Sequence, residues 1–319
     1  MKQLLGITVL LVALYGAIVY AVPEASRAQN NFNLGKNIGL EGIIALGAGL
    51  LIISGGIDLS IGAVVALSGT VTAILLTDPA FAWPPYLALP AVLALGALIG
   101  LINGLLVTKL RLPAFMVTLC GLFIFRGAAQ TISGNLSKGL GDQFEELKHV
   151  LYDWDVFGLP RFLVIFLLLV VVAVVFLHFS VYGRYLYAIG ANEKAARYSG
   201  IATDRYKVLP YVVCSSLASF YGILFLMENN SVKPSTDGNF LELYAIAGAV
   251  LGGCSLRGGT GTVVGIVIGT AILTMLPNLT NLLGIRSELK FIVIGGALLL
   301  GVILDELLRP KVAGRAAGT

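Results

Sequence analysis

Charge is what this chain has least of. Lys, Arg, Asp and Glu make up 12% of its 319 residues, against 57% hydrophobic. An ordinary soluble domain carries about 25% charged residues, so there is roughly half the charge needed to clothe a water-facing surface. Soluble enzymes, disordered chains and nucleic-acid binders are excluded on that ground, and a polytopic helical membrane protein fits. The formal charge of +4 does not point to nucleic acid, because membrane proteins retain Lys and Arg on the cytoplasmic side. Cysteine is scarce as well. Cys120, Cys214 and Cys254 are odd in number, far apart and set among apolar or small neighbours, which reads as packing. The two histidines, His149 and His178, belong to no zinc-like cluster. There is no Gly-x-x-x-x-Gly-Lys-Ser/Thr phosphate loop and no Gly-x-Ser-x-Gly elbow, so the chain is expected to be no enzyme and to hold no cofactor or metal.

What is present is a series of apolar runs. Crossing a hydrocarbon core of about 30 Å takes about 20 residues. Candidates are 4–22, 38–53, 60–77, 86–107, 113–132, 162–179, 208–227 and 289–307, with two shorter runs, 240–253 and 262–277, flanking a glycine-rich break. Counting both as crossings gives about ten transmembrane helices in one all-α membrane domain, 1–319. The first run follows Lys2 and precedes a passable cleavage site, Ser26-Arg27-Ala28, but is longer than a typical signal core and is read as the first crossing. Arg184, Lys194, Arg197, Arg205 and Lys207 crowd the segment 180–207, which therefore belongs inside, and both termini are expected to be cytoplasmic. The outer loop 133–161 is acidic and carries Phe144, Tyr152, Trp154 and Phe157; Trp83-Pro84-Pro85 marks another outer turn.

Ionisable groups at membrane depth are functional candidates. Glu41 and Glu242 each open an apolar run and fit an interface or a helix N-terminus, and Arg126 is placed to snorkel. The mid-helix polar groups are mostly neutral, Asn103 and Thr118 among them, and these two are the pore candidates. That pattern argues against Na⁺ or H⁺ coupling.

Two segments read as broken helices. Ser54-Gly55-Gly56-Ile57-Asp58-Leu59-Ser60-Ile61-Gly62 and Gly252-Gly253-Cys254-Ser255-Leu256-Arg257-Gly258-Gly259 share the pattern Gly-Gly-x-x-Leu-x-x-Gly, and each is followed by an apolar run with Gly-Thr (Gly69-Thr70, Gly269-Thr270). Glycine permits positive φ and close backbone approach. Asp58 and Ser60 are good N-caps, so one helix stops and another starts at each site. Matching Gly-interrupted segments in two halves mark transporter cores built from repeats, while two ordinary turns would give the same residues.

These stretches, with Gly190-Ala191-Asn192-Glu193-Lys194-Ala195-Ala196-Arg197-Tyr198-Ser199-Gly200-Ile201 and Glu242 to Leu256, resemble the ribose-type sugar permease family, the membrane subunits of bacterial ABC importers. The likeness spans roughly residues 38 to 308. It implies an inner-membrane permease that dimerises with a second copy or a paralogue, is driven by a cytoplasmic ATPase that binds the ATP and Mg²⁺, and receives a monosaccharide from a soluble binding protein. Glu193, Ala195, Ala196 and Gly200 resemble the coupling motif of importer permeases, which closes at Lys207-Val208-Leu209-Pro210; Lys194 is a departure from it. On physical grounds 191–200 can form a short helix whose adjacent small residues allow close docking, with Glu193 and Arg197 supporting each other four residues apart and Gly200 as a C-cap. A cytosolic loop obeying the positive-inside rule is the plainer reading of the same residues. Asp58 is the gate residue, or simply a helix cap. The rival readings are a permease for nucleosides or branched-chain amino acids, a secondary carrier or channel, and a non-transporting scaffold.

Overall fold

The computed structural model describes residues 2–141, 144, 155, 156 and 158–285, with isolated positions up to 299. His149, Tyr152, Trp154, Phe157, most of the expected crossing 289–307 and the C-terminus lie outside them.

Eleven α-helices carry the described fold: α1 (Lys2–Ala21), α2 (Ala28–Ile53), α3 (Ile61–Thr77), α4 (Pro85–Thr108), α5 (Ala114–Ser133), α6 (Arg161–Val174), α7 (Val181–Ala191), α8 (Glu193–Tyr198), α9 (Thr203–Asn229), α10 (Leu241–Leu251) and α11 (Val263–Leu282). A 3-10 turn at Pro23–Ser26 joins α1 to α2, and a π-turn at Val175–Phe179 extends α6. Among the described residues seven helices are long and apolar enough to cross a membrane, and α3 and α10 are shorter apolar helices. The chain is an all-α polytopic membrane protein. Among the described residues strand structure is confined to two-residue pairs: β1 (Lys138–Gly139) with β4 (Ser231–Val232), antiparallel with Lys138 opposite Val232, and β2 (Asp155–Val156) with β3 (Leu159–Pro160).

Two elements differ from the sequence expectation. The run expected from residue 38 is a helix from Ala28, because Asn30, Asn31, Asn33, Lys36 and Asn37 dilute the hydropathy of its first half without breaking it. The run 240–253 is a helix of 11 residues, which rises about 16 Å and cannot cross a layer of about 30 Å. Before it, residues 230–240 run non-helically beside α3: Val232 packs on Gly69, and Gly238 meets Gly62 backbone to backbone. Irregular backbone of this kind is tolerated inside a membrane only where protein or water covers it.

The core forms around α2, α3 and α9, whose buried residues include Ile43, Leu51, Val64, Tyr211, Cys214 and Ala218. Glycine sets their approach. A Cβ on Gly222 would stand 2.6 Å from the Val65 carbonyl oxygen, and one on Gly100 would overlap the Tyr211 carbonyl. Small residues permit this closeness, and in lipid close packing rather than water exclusion drives helix association. Cys214 and Cys254 are buried as packing residues, whereas Cys120 is exposed.

Candidate functional site

Both glycine-rich breaks are real, and the fold brings them together. At the first, α2 stops when Gly55 turns to φ +80° and the Gly56 N–H donates to the Leu51 carbonyl at 3.0 Å. The chain then rises to Asp58, which is 2% exposed. Its Oδ1 accepts from the Ser60 N–H at 2.7 Å and from the Ser60 hydroxyl at 2.6 Å, and Ser215 donates to Oδ2 at 3.4 Å. Ser60 sits at the N-cap position of α3 but makes no capping bond with its side chain, because its hydroxyl is given to Asp58. Asn103 of α4 donates to the same hydroxyl at 3.3 Å. The pore candidate Asn103 is thus a buried member of the Asp58 cluster. Thr118, also buried, donates to the Ala114 carbonyl of its own helix at 2.9 Å.

At the second break α10 ends at Leu251, the chain passes through Gly252, and Gly253, Gly258 and Gly259 take positive φ. The Gly259 N–H donates to the Ile53 carbonyl, the last of α2, at 2.9 Å. A Cβ on Gly258 would stand 2.9 Å from Gly55 Cα. The breaks therefore touch through bare backbone. A third glycine closes the contact: Gly190, in α7, has Gly55 on one side, and a methyl on it would overlap the Ile53 carbonyl and stand 2.5 Å from Gly259 N. Sequence reasoning found both breaks and missed both their contact and Gly190. The signal was available, since Gly190 opens one of the family-like stretches, but the α7 fold that carries it inward could not be read from spacing.

Three residues after Gly190 the short helix α8 begins. The Asn192 side chain accepts from the Ala195 N–H at 3.0 Å. At the other end Gly200 has φ +84°, its N–H donates to Arg197, and Ile201 donates to Ala196, a Schellman closure. Glu193 pairs with Arg197 at 3.3 Å and Lys207 at 2.8 Å, and Arg197 with Asp204 at 2.7 Å. Such half-exposed pairs contribute about 0.2–1 kcal/mol each, so the network orients α8 on α9 more than it stabilises it. The two alanines part company: Ala196 is buried in the chain's own body, while Ala195 is exposed beside Lys194 and Tyr198, the latter 91% exposed.

Of the remaining ionisable candidates, Glu41 and Arg126 are placed differently from expectation, while Glu242 opens a helix as expected. Glu41 does not open a helix. With α2 starting at Ala28 it lies about 20 Å along the helix, accepting from Thr274 at 2.8 Å. Arg126 does not snorkel: its guanidinium donates to the Pro234 carbonyl at 2.9 Å and to that of Asp237, tying down the turn that leads into α10. Glu242, in the first turn of α10 and 8% exposed, faces Gly62 in the first turn of α3. Acidic side chains thus stand at the N-termini of both α3 and α10, where helix dipoles favour them. Among the described residues no group of His, Cys, Asp and Glu is placed to hold a metal.

Residues 32–302 match the family described as "Branched-chain amino acid transport system / permease component". The chain is 38% identical to the ribose import permease protein RbsC of Escherichia coli (strain K12) over 312 residues, 96% of this chain and 93% of that one. It is 37% identical to RbsC of Bacillus subtilis (strain 168), over 89% of this chain and 87% of the relative. To the L-arabinose transport system permease protein AraH of Escherichia coli (strain K12) it is 34% identical, over 94% and 90%. No solved structure matches. The glycine breaks, the short helix α8 and these likenesses over nearly the whole length agree, and the chain belongs to the family of ribose-type ABC importer permeases.

Proposed function

We propose that this chain is the subunit through which a monosaccharide crosses the membrane, released by a soluble binding protein and driven by ATP hydrolysis on a separate cytoplasmic ATPase. The relatives named for ribose and L-arabinose support a pentose-sized cargo. In this reading the whole chain is one permease domain of about ten membrane segments with both termini cytoplasmic, working with a second copy or a paralogue.

The observation that carries the mechanism is the backbone junction of Gly55, Gly190, Gly258 and Gly259. Gly190 lies three residues before α8, so a push on α8 reaches the ends of α2 and α10 without an intervening flexible side chain. We assign ATPase coupling to Glu193, Ala195, Ala196, Arg197 and Gly200. Ala195, with Lys194 and Tyr198, offers the exposed docking face, while Ala196, Glu193 and Arg197 hold the helix against α9. Gly55, Gly56, Asp58, Ser60, Gly252 and Gly253 form the hinge region. Moving α7 would separate the breaks and alter the Asp58–Ser60–Asn103 cluster between α3 and α4, while Thr118 remains one turn from Gly121, which packs on Ser60.

A neutral cargo fits the electrostatics. Asp58 is saturated by Ser60 and Ser215, Glu242 faces Gly62, and Arg126 is held by carbonyls. Reconstitution with the cognate ATPase and binding protein tests the coupling assignment. Replacing Glu193 by Lys, or Gly200 by Val, is expected to abolish stimulated ATP hydrolysis. Undiminished stimulation in both removes α8 from that role.

A further inference from the structure

The second glycine break carries a tight turn whose tip stands out at the surface. The Ser255 N–H donates to the Thr260 carbonyl at 3.2 Å, the Gly258 N–H to the Ser255 carbonyl at 2.8 Å, and the Arg257 N–H to the Ser255 hydroxyl at 3.3 Å. Gly258 and Gly259 take φ +83° and +73°, which glycine adopts without strain. Just beyond, the Tyr187 hydroxyl of α7 donates to the Gly261 carbonyl at 2.7 Å, so the turn is fixed at its root. Cys254 before it is buried, but at the tip Leu256 is 63% exposed and Arg257 is exposed beside it.

The same composition recurs on the neighbouring helix. The exposed side of α8 is Lys194, Ala195 and Tyr198, again a base among apolar groups. Among the described residues neither Lys194 nor Arg257 is ion-paired. Turn and helix adjoin, since a Cβ on Gly259 would stand 2.6 Å from the Cα of Ala191, the residue before the Asn192 cap of α8. On its other side the turn meets the end of α2, where the Gly259 N–H bonds the Ile53 carbonyl and Gly258 packs on Gly55. Protein backbone rather than lipid therefore flanks the turn on both sides.

Resting on the coupling role given to α8, we propose that the turn 255–258 is a second docking point for the same ATPase, with Leu256 entering an apolar pocket of the partner and Arg257 meeting a carboxylate at its rim. The partner surface that receives Lys194 and Arg257 together is acidic, and such charge complementarity fixes register and speeds encounter. The two contacts fall on opposite sides of the glycine junction. α8 leads to Gly190, while the turn leads directly to Gly258, on which a Cβ would stand 2.8 Å from the Gly190 carbonyl oxygen. A partner that holds both sides draws them apart or presses them together by changing the spacing of its own two surfaces. A hold on α8 alone would move both sides as one body.

The test uses the assembled complex of permease, ATPase and binding protein in nanodiscs containing phosphatidylglycerol. With Leu256→p-benzoylphenylalanine, illumination is expected to give a permease–ATPase adduct, as with Tyr198→p-benzoylphenylalanine on α8. Leu168→p-benzoylphenylalanine, on the lipid face and 63% exposed, is expected to give none. An adduct at Tyr198 without one at Leu256 overturns the second docking point and leaves the coupling reading standing. So does a Leu256 adduct confined to lipid, to a second permease copy or to the C-terminal part of its own chain. Arg257→Glu and Leu256→Ser are each expected to weaken ATPase binding at least ~10-fold, with Arg257→Lys closer to the parent. Both positions are exposed, so the Tm is expected to stay that of the parent. Parental affinity in both variants overturns the proposal. A parent permease that binds no ATPase at all would sink the transport reading itself, and the role of the turn with it.

Discussion

The Gly190→Ala substitution places one methyl group where the mechanism is most exposed to it. That methyl would overlap the Ile53 carbonyl and stand 2.5 Å from Gly259 N, two atoms joined to each other by a 2.9 Å hydrogen bond. Relieving the overlap means drawing α7 away or parting the breaks. Overpacking of this kind costs about 1–3 kcal/mol, and a strained or lost backbone hydrogen bond adds about 0.5–1.5 kcal/mol. Replacing a helical glycine by alanine returns up to about 1 kcal/mol of propensity. The net, about 1–3 kcal/mol, is enough to shift the junction and too little to unfold the protein, so a fall in Tm of roughly 2–6 °C is expected. In proteoliposomes holding the ATPase and supplied with loaded binding protein, stimulation of ATP hydrolysis is expected to drop to near its unstimulated rate. Gly127→Ala is the control, since nothing lies within 4 Å of the added methyl; it is expected to behave as the parent. Full stimulation in Gly190→Ala accompanied by the fall in Tm would refute the junction as the link between α8 and the helix breaks.

Asp58→Ala removes the acceptor of two short bonds from Ser60 and is expected to lose about 2–4 kcal/mol of stability with most uptake, whereas Asp58→Asn, which keeps an acceptor for the Ser60 N–H, retains part of both by thermal unfolding and sugar flux. Arg126→Ala frees the Pro234 and Asp237 carbonyls; protease cutting within 230–240 is expected to become faster, with Arg126→Lys intermediate because a single ammonium lacks the planar fork. Gly200→Ala places a side chain at φ +84° and is expected to cost about 1–2 kcal/mol, read as higher amide exchange in α8 and weaker ATPase docking.

Much of this architecture was legible in the sequence, because bilayer thickness imposes its own length on a helix. The boundaries of α1, α4, α5 and α9 lie close to the apolar runs, and the Gly-Gly breaks announce themselves by composition. The first half of α2 was not legible as helix. Its asparagines and Lys36 lower the hydropathy of the segment without breaking the helix. The same misplacement made Glu41 look like an interfacial residue. A run such as 240–253 satisfies composition whether it crosses or stops halfway, and only the packing of 230–240 along α3 decides. The segment 191–200 was read correctly as a short helix with a Glu193–Arg197 pair and a Gly200 closure, which are local. That Ala196 turns inward while Tyr198 turns out depends on α9, and the meeting of Gly55, Gly190, Gly258 and Gly259 depends on three distant parts of the chain. Contacts without side chains leave no chemical pattern for a sequence to show.

The central claim is that energy enters from outside this chain. Uptake of labelled monosaccharide into liposomes tests it most directly, with the permease reconstituted alone and then with its ATPase, binding protein and internal and external ATP supplied separately. The account predicts uptake only with both partners present and ATP on the ATPase side, insensitive to imposed Na⁺ or H⁺ gradients. Accumulation by the permease alone, or accumulation that follows an ion gradient, would contradict it.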